Sequence, residues 1–524
     1  MGKLVNDNND AEVIRLIQKR KKGFLRLIFS RVGITILLVL LQLAVLTVAI
    51  TLVNSTVLMV LQAVFTVAML FYLFNCPMDA SPKLTWLVLI MFFPVPASIM
   101  LFFTQSDLGH RYIRKRSDEI TRETRKKIPQ NPFTLIKDEV IESGTDEIVH
   151  YLNRTGCFPL FENTEVTFFP LGEYKHHSML TELRKAEKFI FLEYFIIDEG
   201  YMWGSILNIL AEKAKEGVDV RVMYDGMCEI STLTSNYPQL MRQLGIKCKP
   251  FSPIRPFLSS HYNYRDHRKI LVIDGKVGYN GGVNLADEYI NRIDRFGHWK
   301  DTAIMLKGEA VQSLTLMFLR MWNMTETSPE WDECTVCEPA RSDGFVLPYC
   351  DQPLTEDKVA KSVYMDILYR SKSYVHIMTP YLILDNALET ALKYTAERGV
   401  DVKIILPGIP DKKLAYALAK THYKSLLESG VKIYEYTPGF VHAKVFVSDD
   451  EKAVIGTINL DYRSLYHHFE CGTYLFRTAC IEDIENDYEA TLEKCFEVTK
   501  ENYKQRDKLL RIFGGAVKMF APLM

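Results

Sequence analysis

The stretch DHRKILVIDGKVGYNGGVNLAD, residues 266–287, recurs in altered form as GFVHAKVFVSDDEKAVIGTINLD, residues 439–461. Each copy has a histidine, a lysine two residues later, an aspartate seven residues after the histidine, and an asparagine after a pair of small residues. The first copy contains His267, Lys269, Asp274, Gly281 and Asn284, and the second has, 175 positions later, His442, Lys444, Asp449, Gly456 and Asn459. A spacing shared at five positions indicates an internal repeat.

The sequence upstream of each copy repeats as well. KFIFLEYFIIDEG (188–200) and ILNILAEKAKEGVDVRVMYDG (206–226) resemble SYVHIMTPYLILDNA (373–387) and LETALKYTAERGVDVKIILPG (388–408). Each pair is typical of a buried strand, an amphipathic helix that ends at a glycine, and a second buried strand. We therefore predict an α/β fold in which two similar domains are related by pseudo-twofold symmetry.

The domain boundaries follow from the repeat. We expect the first domain over residues 130–335, with its motif at 261–288, and the second over residues 345–524, with its motif at 436–463. Proline, serine and acidic residues collect between the two, as is typical of a linker.

The composition excludes several classes of protein. A chain of 524 residues is too long for one core, and a formal net charge of −1 does not favour binding to nucleic acid. The ten cysteines are scattered, which is typical of reduced core residues. Cys334 and Cys337 have the spacing of a zinc or redox pair, but no matching second pair follows, so an incidental pair is the preferred interpretation.

Apolar residues concentrate near the start of the chain. After a basic segment at residues 1–31, a membrane region is expected at 32–110, with uncharged runs at 32–53 and 56–74. Each run is long enough for a helix across a hydrocarbon layer of about 30 Å, so the two predict a transmembrane helical hairpin. A cleaved signal peptide fits poorly, because the first run begins late and a second one follows at once.

A third apolar run, residues 84–103, contains Pro94 and Pro96, which are expected to break or kink a helix at its middle. Basic residues precede the first run and follow the third, and basic flanks mark the cytoplasmic side. Both flanks are cytoplasmic only with an even number of crossings. We therefore expect a multi-pass membrane protein with two spans, a re-entrant or interfacial third run, and catalytic domains on the cytoplasmic side.

The repeated residues predict a site for phosphoryl chemistry. Residues two apart on a strand share a face, so His267 lies beside Lys269 and His442 beside Lys444. Pseudo-twofold pairing brings together two imidazoles, one to attack and one to protonate a leaving group, with lysine and asparagine donors for phosphoryl oxygens. Because the lysines supply the positive charge, no metal and no cofactor are expected. Asp274 and Asp449 fall in turns, where bracing the strand ends is the first interpretation and direct catalysis the second.

The two motifs resemble the paired HxKxxxxD motifs of the phospholipase D superfamily, and residues 265–289 and 438–464 are similar to those of bacterial cardiolipin synthases. This resemblance implies a bacterial cell membrane enzyme that uses two molecules of phosphatidylglycerol. In that family a histidine attacks the phosphate of one phosphatidylglycerol, glycerol leaves, and the primary hydroxyl of the second phosphatidylglycerol displaces the histidine to give cardiolipin.

The resemblance also implies roles for individual residues. His267 becomes the nucleophile and His442 the general acid and then the general base, although the sequence itself is symmetric and does not distinguish them. The phosphate is held by Lys269, Lys444, Asn284, Asn459 and Thr457. Asp301 and Glu470 are the acids expected to orient the histidine rings. His467 and His468 replace the small or amide residues more usual beside Glu470, and either stay solvated or crowd the mouth of the pocket.

Several alternatives stay open at this point. A phospholipase D, with water as the acceptor, shares the first half-reaction and therefore the same site residues. A nuclease lacks the expected basic excess, and a membrane scaffold would not need two intact histidine–lysine–asparagine sets. The sequence does not indicate the acceptor range beyond phosphatidylglycerol or the oligomeric state.

Overall fold

The computed structural model of the protein describes residues 3–5, 13–16, 40, 55–76, 78–105, 108–253, 264–335, 338–505 and 508–523. The chain divides into two compact units. The larger unit takes residues 1–19, 113–254 and 263–514, and the smaller takes residues 20–112, 255–262 and 515–524.

The smaller unit contains three apolar helices, α1 (Ser55–Asn75), α2 (Ala80–Phe92) and α3 (Pro94–Gln105). They pack on a small core that includes Leu73, Ile90 and Leu101. The predicted proline break in the third apolar run is confirmed, because α2 ends where Phe93 leaves the helical region and Pro94 begins α3.

The transmembrane hairpin stays a prediction. Its first expected span, residues 32–53, lies outside the described residues except for Leu40. Within the part of the chain that the structure does describe, no helix combines the length and the apolar character needed to cross a membrane.

The larger unit is built on two mixed β-sheets, and the predicted α/β fold class is confirmed. In the described chain the strands are β1 (Lys3–Val5), β2 (Val13–Arg15), β3 (Thr164–Phe169), β4 (Phe189–Tyr194), β5 (Asp219–Asp225), β6 (Lys247–Phe251), β7 (Arg265–Asp266), β8 (Lys269–Ile273), β9 (Val277–Gly281), β10 (His298–Lys300), β11 (Ala303–Gly308), β12 (Phe345–Asp351), β13 (Tyr374–Met378), β14 (Asp401–Pro407), β15 (Lys432–Tyr436), β16 (Gly439–Val441), β17 (Val445–Ser448), β18 (Lys452–Gly456), β19 (His468–Phe476) and β20 (Cys495–Val498).

Helices cover the faces of these sheets. After α3 the described helices are α4 (Leu108–Thr124), α5 (Pro132–Leu135), α6 (Asp138–Glu142), α7 (Thr145–Gly156), α8 (Gly172–Leu183), α9 (Tyr201–Lys215), α10 (Cys228–Ser231), α11 (Tyr237–Gln243), α12 (Val311–Trp322), α13 (Val359–Arg370), α14 (Asn386–Glu397), α15 (Lys413–Glu428), α16 (Tyr462–Tyr466), α17 (Cys480–Leu492), α18 (Lys500–Gln505) and α19 (Lys508–Val517).

The two sheets have the same strand order. The first runs β3-β11-β9-β8-β4-β5-β6, and the second runs β12-β19-β18-β17-β13-β14-β15 and then adds β20 at its edge. In both, a central strand (β4 or β13) pairs in parallel with the next strand and antiparallel with the strand that follows the motif histidine. The repeat seen in the sequence is therefore a repeat of topology.

One helix joins the cores of the two halves. Every residue of α12 except Gln312 is buried. The helix contacts β8 of the first sheet and β12 of the second, and its apolar residues belong to one continuous cluster with those of the second half. Helix α12 thus packs on both sheets at once, which holds the two motifs in a fixed relation.

Asp274 and Asp449 brace the starts of the central strands. Asp274 accepts hydrogen bonds from the backbone N–H groups of Glu187, Lys188 and Phe189, at 2.7–2.8 Å. Asp449 accepts hydrogen bonds from the backbone N–H groups of residues 372–374, at 2.8–2.9 Å. Both aspartates have positive φ, 53° and 55°, as their tight hairpin turns require.

These bonds predict a loss of stability when the charge is removed. Asp274→Asn and Asp449→Asn should each lower the free energy of unfolding by about 2 kcal/mol, because one oxygen that accepts backbone N–H groups becomes a donor. Urea unfolding would measure the loss, with the exposed loop variant Asp343→Asn as the control. Equal stability of all three variants would contradict the bracing role.

Candidate active site

Beside each motif histidine, a short strand of one half pairs with a strand of the other half. We call this pairing the strand exchange. Strand β7, just before His267, pairs in parallel with the start of β19 in the second half, and the His267 N–H donates to the carbonyl of Phe469 at 2.9 Å. Strand β16, just before His442, pairs in parallel with β10 of the first half, and the His442 N–H donates to the carbonyl of Lys300 at 2.7 Å. Each histidine is therefore fixed by backbone from the other half.

The strand exchange also places each carboxylate beside the histidine of the other half. His267 Nδ1 lies 2.9 Å from both carboxylate oxygens of Glu470, and His442 Nδ1 lies 2.7 Å from Asp301 Oδ2. Asp301 directly follows β10, and Glu470 directly follows the two residues of β19 that pair with β7, so each acid reaches the histidine of the opposite half. The sequence predicts that Asp301 and Glu470 orient the histidine rings, but it does not predict which acid contacts which histidine.

Small and polar neighbours make room for the acids. A Cβ on Gly282 would come within 2.1 Å of Asp301 Oδ1, so any larger residue here would displace the Asp301 carboxylate. The Thr457 hydroxyl donates to Glu470 Oε2 and also lies 3.1 Å from the carbonyl of Cys471. Thr457 thus contacts the orienting acid, whereas the sequence predicts a contact with phosphate.

The two motif lysines are buried beside their histidines. Lys269 Nζ donates to the carbonyl of His267 at 2.5 Å, and Lys444 Nζ donates to the carbonyl of His442. Burial lowers the pKa of Lys269 to about 8 and that of Lys444 to about 7. Burial therefore disfavours the charged form of both lysines, and a bound anion would favour it again.

The two motif asparagines differ in their contacts. Asn284 Oδ1 accepts from the backbone N–H of Ile196 at 3.0 Å, and its Nδ2 donates to the Tyr289 hydroxyl at 2.8 Å. Asn459 is buried too, but its Oδ1 has no hydrogen-bond partner among the described residues. An unsatisfied buried amide oxygen costs free energy, and a ligand that donates a hydrogen bond, such as a hydroxyl group, would satisfy it.

Both histidines are neutral near pH 7. Burial lowers the pKa of His442 to about 4, and Lys444 adds to this effect although Asp301 opposes it. Burial, together with Lys269 and Lys444, holds the pKa of His267 well below its usual range. A neutral imidazole that donates from Nδ1 to a carboxylate keeps a lone pair on Nε2, which is the form needed for attack on phosphorus.

Asp274 and Asp449 do not join this group. Each lies at the opposite end of its strand from the motif lysine and is occupied by three backbone N–H groups. Among the described residues neither contacts a motif histidine, which favours the structural interpretation over direct catalysis.

Two further residues belong to the neighbourhood of the site. His468 shares a face of β19 with Glu470, and its ring centroid lies 5.4 Å from that of His267. The sequence leaves open whether His468 stays solvated or crowds the mouth of the pocket, and its burial excludes the solvated alternative. Lys175 on α8 donates to the carbonyl of Val283 at 3.1 Å, beside Asn284, and burial lowers its pKa to about 7. A single lysine on a helix gave no signal in the sequence.

The fold and the site together define a class of enzyme. Two neutral imidazoles, each oriented by a carboxylate, with buried lysines and asparagines beside them, suit transfer of a phosphodiester group through a histidine. The family described as "Cardiolipin synthase, PLD-like domain" matches residues 179–322 and 364–492. The chain belongs to this family.

Relatives are similar over most of their length. A protein of Streptococcus mutans named only as uncharacterised is 53% identical over 455 residues, which is 86% of this chain and 99% of the relative. A cardiolipin synthase of Alkalihalophilus pseudofirmus is 33% identical over 476 residues, covering 88% of this chain and 94% of the relative. The phosphatidylserine synthase structure of Haemophilus influenzae covers 72% of this chain and 99% of its own, with a TM-score of 0.55 at 14% identity, which shows a shared fold.

The low pKa of His442 predicts how stability depends on pH. The folded protein leaves His442 neutral down to about pH 4, whereas the unfolded chain protonates it near pH 6.5. Stability falls as the pH decreases from about 6.5 to 4, because the unfolded state binds a proton that the folded state does not. His442→Asn should make this decrease shallower by up to about 1.4 kcal/mol per pH unit. Urea unfolding at several pH values measures it, and an unchanged slope would contradict the shift.

Proposed function

We propose that the protein is a cardiolipin synthase that moves the phosphatidyl group of one phosphatidylglycerol onto a second one. The observation that carries this proposal is the crossed pairing of Asp301 with His442 and of Glu470 with His267. It gives each half of the reaction an oriented imidazole, and membership of the cardiolipin synthase family supports the choice of substrate.

The first half-reaction uses both histidines. Nε2 of His267 forms a bond to phosphorus while the bond from phosphorus to the glycerol oxygen breaks, and His442 gives the leaving oxygen a proton. The free protein keeps His442 neutral. A phosphodiester anion bound beside it raises its pKa, so substrate binding and protonation of the general acid are coupled. Glu470 stabilises the positive charge that develops on His267.

The second half-reaction reverses these roles. His442 accepts the proton of the primary hydroxyl of the second phosphatidylglycerol, whose oxygen bonds to phosphorus as the bond to His267 breaks. The products are cardiolipin and glycerol, and both histidines return to their starting state. Lys269, Lys444, Asn284 and Asn459 bind the phosphoryl oxygens during both steps. Thr457 assists through its bond to Glu470.

The organisation of the chain fits this role. We propose phospholipase D-like domains at residues 130–335 and 345–524, and a membrane hairpin with spans at 32–53 and 56–74. The anchor would keep the catalytic domains at the cytoplasmic surface of the bacterial cell membrane, where both lipid substrates lie.

The substrates and acceptor are tested by product analysis. The purified, detergent-solubilised protein is given phosphatidylglycerol alone, and the products are identified by mass spectrometry. Cardiolipin with an equal amount of glycerol is expected. Phosphatidic acid with glycerol would instead identify water as the acceptor and the protein as a phospholipase D.

The orienting acids generate a separate prediction. Asp301→Asn and Glu470→Gln should each reduce kcat by about 10³–10⁴-fold while leaving the fold intact, because the amide neither fixes the productive tautomer nor stabilises an imidazolium. Cardiolipin formation with time gives kcat, and Glu165→Gln, at an exposed position, is the matched control. Near-normal rates in both acid variants would contradict their assigned role.

A further inference from the structure

Three side chains with metal-binding atoms lie close together, and two of them, His267 and Glu470, also belong to the proposed reaction. His267, His468 and Glu470 each place one nitrogen or oxygen atom within 4.8 Å of the others. His267 Nδ1 lies 2.9 Å from Glu470, and His468 Nδ1 lies 3.6 Å from Glu470 Oε1. Two imidazoles and a carboxylate are a ligand set that Zn²⁺ prefers.

These distances are close to those of a tetrahedral zinc ion. Ligand atoms that lie 2.0–2.1 Å from zinc are separated by about 3.3 Å from one another. The two measured separations, 2.9 and 3.6 Å, lie on either side of this value. The third separation, between the two histidine nitrogens, is known to be no more than 4.8 Å, so the rings must close toward each other to bind the ion.

The burial and missing hydrogen bonds of His468 are a second, independent argument for a bound ion. Its side chain is only 8% exposed, and neither ring nitrogen has a hydrogen-bond partner among the described residues. The ring is held between Phe195 and His267, with centroids at 6.3 and 5.4 Å. A buried imidazole with both nitrogens unsatisfied is costly unless a ligand completes it.

We propose that His267, His468 and Glu470 form a Zn²⁺ site that reversibly inhibits the enzyme. A neutral imidazole has one N–H and one lone pair. When Nδ1 of His267 gives its lone pair to zinc, its proton moves to Nε2, and the atom that should attack phosphorus loses its lone pair. Glu470 changes at the same time from hydrogen-bond acceptor to metal ligand.

The charged side chains around the proposed site lower its affinity for Zn²⁺ but do not prevent binding. Lys269 and Lys444 lie in the same site and repel a divalent cation, whereas Glu470 compensates part of that charge. The bound ion inhibits by withholding the lone pair of His267 Nε2. This inhibition rests on the proposed function, whereas zinc binding itself does not.

Calorimetric titration of the purified full chain with ZnCl₂, without lipid, tests the binding. The wild-type protein is expected to bind one Zn²⁺ at this site, and His468→Asn should weaken that binding roughly 100-fold or more. The neighbouring variant His467→Asn is the matched control and should bind like the wild type. X-ray absorption at the zinc edge should show nitrogen and oxygen ligands and no sulfur, which separates this site from the cysteines.

Activity measurements complete the test. Each variant's cardiolipin formation with ZnCl₂ is compared with its own rate under chelator, and with MgCl₂ as a charge control. Zinc should abolish activity in the wild type and in His467→Asn, and chelation should restore it, while His468→Asn stays resistant. Equal binding by wild type and His468→Asn, or sulfur ligands in both, would overturn the proposal. Absence of cardiolipin from zinc-free wild type would overturn the proposed function alone.

Discussion

Each histidine of the site is held by a carboxylate from the other half of the chain, and the rest of the active site depends on this exchange. The exchanged strands β7 and β10 bring Glu470 to His267 and Asp301 to His442. Neither half contains a complete site by itself. Duplication of one domain thus produces one catalytic centre from two incomplete sets of residues, and helix α12 keeps the two sets aligned by packing on both sheets.

Burial determines the charge state of this centre. It lowers the pKa of both motif lysines and both motif histidines, so the free site holds neutral imidazoles beside lysines whose charged form is disfavoured. An anionic phosphodiester reverses much of this effect, because its charge favours protonated lysine and protonated His442. In the proposed mechanism His442 therefore becomes protonated mainly when the substrate is bound.

The sequence predicts much of this arrangement, for identifiable reasons. The spacing of His267, Lys269 and Asn284 recurs exactly one domain later, which predicts the duplicated α/β fold and the contents of the site. It does not predict the crossing of Glu470 and Asp301, because strand exchange depends on long-range pairing that periodicity does not encode. Lys175 gave no signal in the sequence, since it reaches the site only through the packing of α8. The membrane hairpin stays a prediction.

The most direct test of the crossed pairing is nuclear magnetic resonance of protein labelled with ¹⁵N-histidine, observing the low-field Nδ1 protons that are bound to carboxylates. Glu470→Gln should shift the signal of His267 and leave that of His442 in place, and Asp301→Asn should do the reverse. If each acid variant instead shifted the histidine of its own half, the halves would not exchange their acids, and the account of the site would be wrong.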